Sequence, residues 1–220
     1  YLYNSNFLKN RIITLGASAG SWAAMIVLYL QFKLQTTNDF NFSTIKLKLY
    51  KFIINLQKNN LMKFPVNCKP MILEFCNSFF SDTQETTQFL QFINDKLFIS
   101  ITEHKQYLTF KNILVNPKTK KELIDGLVDS SKLPILVTTF NDSYKRFDGS
   151  FTNNQPLLPN FEKLQYKKII KINCLFNYNC DISPSKFINF LYIMKKPSIT
   201  IMNQIIQLGF NDCKKKLNEK

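Results

Sequence analysis

Arg11-Ile12-Ile13-Thr14-Leu15-Gly16-Ala17-Ser18-Ala19-Gly20-Ser21-Trp22 decides how this chain is read. A short β-prone run ends in Gly16-Ala17-Ser18-Ala19-Gly20, and a long apolar helical stretch follows at once. Strand, tight turn and helix in that order are the signature of a nucleophile elbow. A serine at such a turn sits in a strained backbone conformation that projects its hydroxyl outward. Small residues two positions to either side let strand and helix pack closely. Gly16 and Gly20 fill those positions. The alternative is a glycine-rich βα turn that serves packing alone.

Working outward, the first strand is expected at Arg11 to Leu15 and the helix from Ala19 to about Leu34, apolar nearly all round and therefore buried. The uncharged run Ile12 to Phe32 raises a signal peptide or membrane span, but the glycines and serines in its middle suit a core helix better. Ser43 to Leu56 reads as a basic amphipathic helix: either a membrane-surface helix or an ordinary half-buried one, with a strand at Ile45 to Leu49 as the further option. Residues 70–96 suggest one or two short helices, Leu97 to Thr102 a strand, and Asn116-Pro117 the capped start of a helix carrying Leu123, Ile124, Leu127 and Val128. Pro134 to Phe140, Tyr144 to Phe147 and Lys168 to Phe176 are strand candidates; Pro184 to Met194 and Ser198 to Leu217 are helical. Strands alternating with helices predict an α/β layered domain with a largely parallel sheet.

With 220 residues, 45% of them hydrophobic, the chain is long enough for a substantial core. No linker, repeat or low-complexity block divides it, so a single domain over 1–220 is expected. The net charge of +14 favours an anionic partner such as phospholipid headgroups, nucleic acid or an acidic protein; no nucleic-acid motif accompanies it, and nucleic acid is not the expected partner. Five cysteines without a Cys-Xaa-Xaa-Cys pair, beside a single histidine, indicate neither a disulfide framework nor a zinc site. No metal or cofactor is expected, and a reducing, cytoplasmic setting fits best.

A serine hydroxyl needs a base. His104 is the single histidine, and the order Ser, acid, His of α/β-hydrolases fails because no histidine follows it. A Ser-His-Asp order through His104 stays open, although Thr-Glu-His-Lys reads as a solvated loop. The other option is a carboxylate acting directly. Asp125-Gly126 falls inside a helical pattern, whereas Asp148-Gly149 follows a strand-like run and enters a turn, so Asp148 is the better candidate. A turn aspartate bonding its own backbone is the plainer reading.

Gly16-Ala17-Ser18-Ala19-Gly20 early and Asp148-Gly149 late resemble the patatin-like phospholipases, lipid acyl hydrolases whose Ser–Asp dyad works without histidine. Ser130-Ser131-Lys132-Leu133-Pro134 is similar to the small-residue-to-proline segment before the family's second motif, and Asp148 to Pro156 to its Asp-Gly box with the following Asn-Xaa-Pro. Leu208 to Asp212 is similar to a family helix. The resemblance spans about Ile12 to Leu217 and implies a three-layer α/β/α domain. Ser18 would be the nucleophile, Asp148 the general base and Ala19 an oxyanion donor, with Gly16, Gly20 and Gly149 shaping the turns. The substrate would be a phospholipid or other acyl lipid at an anionic membrane surface to which the protein attaches peripherally. Two departures stand out. The box reads Asp-Gly-Ser, and the family's glycine-rich oxyanion loop, which precedes the serine, has no counterpart in the seventeen residues before Ser18. The first strand and that loop are therefore expected to be missing, and the rival expectation is a catalytically inactive, lipid- or membrane-associated protein of the same fold.

Overall fold

A computed structural model describes residues 7–37, 40–59, 68–80, 82–105, 109–132, 145–159, 169–172, 180–186 and 198–218. The chain gathers into two compact units, Leu8–Leu158 and Tyr1–Phe7 with Pro159–Lys220.

The larger unit is mixed α/β. Its elements run β1 (Thr14–Ala17), α1 (Ala19–Thr36), α2 (Phe42–Lys58), α3 (Cys68–Phe79), α4 (Thr83–Ile93), β2 (Leu97–His104), β3 (Phe110–Val115), α5 (Lys120–Ser130) and β4 (Arg146–Asp148), then a 3-10 turn, Gly149–Phe151. β1 begins three residues later than its composition suggests because its partner β2 begins at Leu97. Thr14 is the first residue with a rung to bond, its N–H donating to Lys96 O at 2.7 Å.

The sheet is open and only partly parallel. β1 pairs parallel with β2, Ala17 facing Ser100; β3 and β4 both pair antiparallel with β2, Asp148 facing Ile101. The expectation of a largely parallel sheet is thus corrected among the described residues. A short connection returns β2 into β3, and β4 comes in from the same His104 end, opposite to the end at which β1 begins. Ser100 pairs with both β1 and β3, and Ile101 with both β3 and β4, so β1 and β4 must share one edge of β2.

Gly16, Ile99 and Asp148 lie on one face of the sheet. α1 and α5 cover that face, since a Cβ on Gly16 would strike the Gly20 backbone of α1 and one on Gly126 of α5 would press on Ile99. α1 then carries an aromatic core: Trp22 stacks on Phe75 and meets Phe52, while Tyr29 stands edge-on to Phe79, Phe80 and Phe89. Gln31, a polar residue in this apolar helix, is buried and donates to Leu8 O at 2.9 Å and to Asn10 O.

α2 is helical, as its periodicity predicts, and buries Ile45, Phe52 and Leu56. α5 starts at Lys120 rather than at Asn116-Pro117. Thr119 caps it by accepting from Glu122 N–H at 3.1 Å, whereas the Asn116 amide serves the start of β2 by donating to Leu97 O at 2.8 Å.

In the smaller unit, α6 (Ile199–Asn218) is the helix expected from Ser198. Its Asp212, nearly buried, accepts from Ser185 N–H at 3.0 Å. Ile172 makes a single parallel bridge to Ile182. The strand expected at Pro134 to Phe140 lies outside the described residues, as does most of the strand expected at Lys168 to Phe176 and most of the helix expected at Pro184 to Met194.

Candidate active site

Ser18 is the one residue between β1 and α1, and its backbone stands at φ 54, ψ −131. A side chain at that positive φ is strained, and the strain persists only where the surroundings hold it. Three bonds do so. Ser21 N–H and Ser21 Oγ both donate to Ser18 O, at 2.9 and 2.6 Å, closing the first turn of α1. Ser18 N–H donates to Ser130 Oγ at 2.9 Å.

The steric prediction holds for one glycine and not for the other. A Cβ on Gly16 would lie 2.3 Å from Gly20 O, so strand and helix approach more closely than any side chain permits. A Cβ on Gly20 would meet nothing within 4 Å. Gly20 contributes its backbone to the close approach, and its lack of a side chain is not required.

Asp148 ends β4 and is fully buried. Its Oδ1 accepts from Ser150 N–H at 2.8 Å and from Ser150 Oγ at 2.6 Å, an arrangement in which the serine of Asp-Gly-Ser orients the carboxylate. Oδ2 is buried with no hydrogen-bond partner among the described residues. The plainer reading, a turn aspartate bonding its own backbone, thus describes one oxygen of the carboxylate and leaves the other available. A buried unpaired carboxylate oxygen is costly, and such groups concentrate where a partner is to be bound.

The sheet brings the two residues together. β1 and β4 run toward each other along the same edge of β2 and end at neighbouring rungs, Ala17 at Ser100 and Asp148 at Ile101. Both chains must leave the sheet there. One turns at Ser18 into α1 and the other at Gly149 into the 3-10 turn. Gly149 passes so near β2 that a Cβ would stand 2.1 Å from Ser100 O.

Ser130, fully buried at the end of α5, ties the junction together. Its hydroxyl accepts from Ser18 N–H and donates to Ser100 O at 2.7 Å, so one side chain fixes the turn of Ser18 to the rung at which Gly149 crosses. Next to it, Ser131 Oγ accepts from Trp22 Nε1 at 2.9 Å. The Cys68 thiol at the start of α3 donates to Ser131 O at 3.3 Å; burial first, and then the Asp148 charge, push its pKa up to about 11, so it stays protonated beside the carboxylate. The Ala19 N–H belongs to the first turn of α1, where backbone donors lack intrahelical partners and the helix dipole is positive.

His104 stands apart. It ends β2, four residues or about 13 Å of strand beyond Ser100, with its ring 5.2 Å from Phe110 and its Nε2 buried with no hydrogen-bond partner among the described residues. It is therefore an aromatic-cluster histidine rather than the loop residue its neighbours suggest. A surface hollow of about 240 Å³ between α1 and α4 is lined by Phe32, Thr36 and Glu85 at the other end of α1 from Ser18.

Ser100 and Ser150 carry roles that local sequence does not announce. The Ser130 segment was singled out by its resemblance, but its bond to Ser18 spans 112 residues and no spacing rule reaches that far. Among the described residues no group of three His, Cys, Asp or Glu side chains is placed to hold a metal ion, and no helix is long and apolar enough to cross a membrane. No family model, curated protein or solved structure matches the chain.

Proposed function

We propose that this chain is a patatin-like lipid acyl-ester hydrolase of the phospholipase A or lipase type, built on the family's three-layer fold, with Ser18 as nucleophile and Asp148 as general base. The observation that carries the reading is the head-on meeting of β1 and β4: it sets a serine at positive φ beside a buried carboxylate, one oxygen of which has no partner among the described residues.

In the first half-reaction Ser18 Oγ attacks the ester carbonyl carbon and its proton passes to Asp148 Oδ2. The tetrahedral oxyanion lies at the N-terminus of α1, where Ala19 N–H donates to it. Collapse breaks the C–O bond, the departing alcohol takes the proton from Asp148, and an acyl-serine remains. Water then attacks the acyl-serine, gives its proton to Asp148 and releases the fatty acid as Ser18 recovers its hydrogen. The Ser150 hydroxyl keeps the carboxylate oriented through both halves.

The rival reading, an inactive lipid-associated protein, draws on the same oxygen. Oδ2 has no hydrogen-bond partner among the described residues, Ser18 included, so the Ser18 hydroxyl is not hydrogen-bonded to it. Catalytic hydrogen bonds that are long in the free enzyme and tighten with substrate account for this equally.

The test is hydrolysis of a soluble short-chain acyl ester by this chain and its variants. Ser18→Ala and Asp148→Asn each lower turnover by at least about a hundredfold on this reading, and His104→Ala leaves it unchanged. No turnover by any folded form favours the inactive protein, and loss of turnover in His104→Ala favours a histidine-dependent enzyme.

A further inference from the structure

Three phenylalanines cluster on the turn that carries Asp148. Phe147 in β4, Phe110 in β3 and Phe151 in the 3-10 turn stand edge to face at 5.2–5.6 Å from one another. Phe147 is buried beneath the other two, but Phe110 is 42% and Phe151 60% exposed. The 3-10 turn bearing Phe151 is fixed from both ends: Asp148 accepts from Ser150, and the Thr152 hydroxyl lies 2.9 Å from that of Thr102 in β2. The rings are thus presented outward on a rigid mount, three residues from the proposed base.

Cations ring the same strand ends. Lys105 and Lys145 are exposed there, Lys145 opposite His104 on the face of the rings, whereas Lys111 and Arg146 flank Glu103 on the other face, Arg146 pairing with it at 3.5 Å. Glu103 and the buried Asp148 are the acids among the described residues of these strand ends. Exposed aromatic rings beside exposed lysines match the interface of an anionic bilayer, with rings at the acyl boundary and ammonium groups at the headgroups.

We infer that Phe110 and Phe151, with Lys105 and Lys145 beside them, form the surface by which this protein docks on an anionic lipid bilayer. The choice of a bilayer rests on the acyl-lipid reading of the site. Ring geometry supports it over single-stranded nucleic acid, because Phe110 and Phe151 meet at 73° and offer no parallel faces for successive bases.

The experiment is co-sedimentation of the whole chain with vesicles of phosphatidylcholine, alone or mixed with phosphatidylserine. The wild type is expected to bind the mixed vesicles. Phe151→Ser, and Phe110→Ser with Phe151→Ser, should weaken that binding by about tenfold or more. Lys105→Glu with Lys145→Glu should weaken binding to the phosphatidylserine vesicles selectively. Far-UV circular dichroism checks the fold of each variant, and Phe151→Ser alone leaves the buried Phe147 in place.

Equal binding by wild type and Phe151→Ser overturns the proposal, as does a wild type that binds no vesicle. So does a Phe151→Ser variant that loses single-stranded oligonucleotide but keeps vesicles. Vesicle binding is read without turnover. If the phenylalanines are needed for vesicles while no soluble ester is cleaved, docking stands and the hydrolase reading falls. If the ester is cleaved and vesicle binding is indifferent to Phe151, the reverse holds.

Discussion

Two glycines that look alike in sequence have opposite roles at Ser18 and Asp148. Gly149 crosses β2 so closely that a methyl group would have to occupy the space of a backbone carbonyl, which cannot move without breaking the β2 rung. Gly149→Ala is expected to destabilise the protein by about 3 kcal/mol or more in urea unfolding. Gly20→Ala, in an open first turn, should lie within about 1 kcal/mol of the wild type, on the stabilising side. Equal effects would contradict the close approach. Ser18 is legible in the sequence because strand, turn and helix fall within a dozen residues, so the chemistry of the elbow is local. Asp148 is legible through its Asp-Gly pair and through resemblance, since nothing near it in sequence shows that its other oxygen is unpartnered. Ser130 and Ser100 are not legible at all as a clamp, because each does its work across the sheet.

At the scale of elements, the helices hold because polar groups interrupt the aromatic core in a satisfied chain. The Tyr29 hydroxyl of α1 donates to Glu85 Oε1 of α4 at 2.6 Å and accepts from Lys48 Nζ of α2 at 3.1 Å. Lys48 also donates to Phe79 O at 3.2 Å, and Lys33 pairs with Glu85 at 3.4 Å. Burial first, and then the Glu85 bond and charge, push the Tyr29 pKa well above its ordinary value. Burial draws the Lys48 pKa down against the pull of Glu85. Tyr29→Phe removes the group that joins three helices, and a loss of about 1–2 kcal/mol in urea unfolding is expected; an unchanged midpoint would contradict the network. Helix existence is legible here from 3.6-residue periodicity, and the Thr119-to-Glu122 spacing carries the true start of α5. β3 is not legible: it follows β2 after a short connection, and its sequence, Phe-Lys-Asn-Ile-Leu-Val, lacks the clean alternation of a half-buried strand; among the described residues it pairs with β2 alone.

For the whole molecule, the buried thiols contribute stability that is lost at alkaline pH. Burial pushes Cys76 up to about 12 from an ordinary thiol value of 9.0. Above pH 9 the unfolded chain releases this proton while the folded chain keeps it. The contribution to stability is therefore whole below pH 9 and is lost progressively toward pH 12. Lys48 and Lys96, lowered by burial, act in the opposite sense as pH approaches 10.5, so a difference measurement is needed. The stability advantage of the wild type over Cys76→Ala should narrow as pH rises from 8 to 11, and an advantage independent of pH would contradict it. The central claim concerns a different side chain, Ser18, and a fluorophosphonate probe tests it most directly, because Ser18 Oγ must displace fluoride at phosphorus to be labelled. The account predicts adduct mass on the peptide containing Ser18, formed at least about a hundredfold more slowly in Asp148→Asn and at an unchanged rate in His104→Ala. Labelling of another residue, or labelling of Ser18 that is indifferent to Asp148, would contradict it.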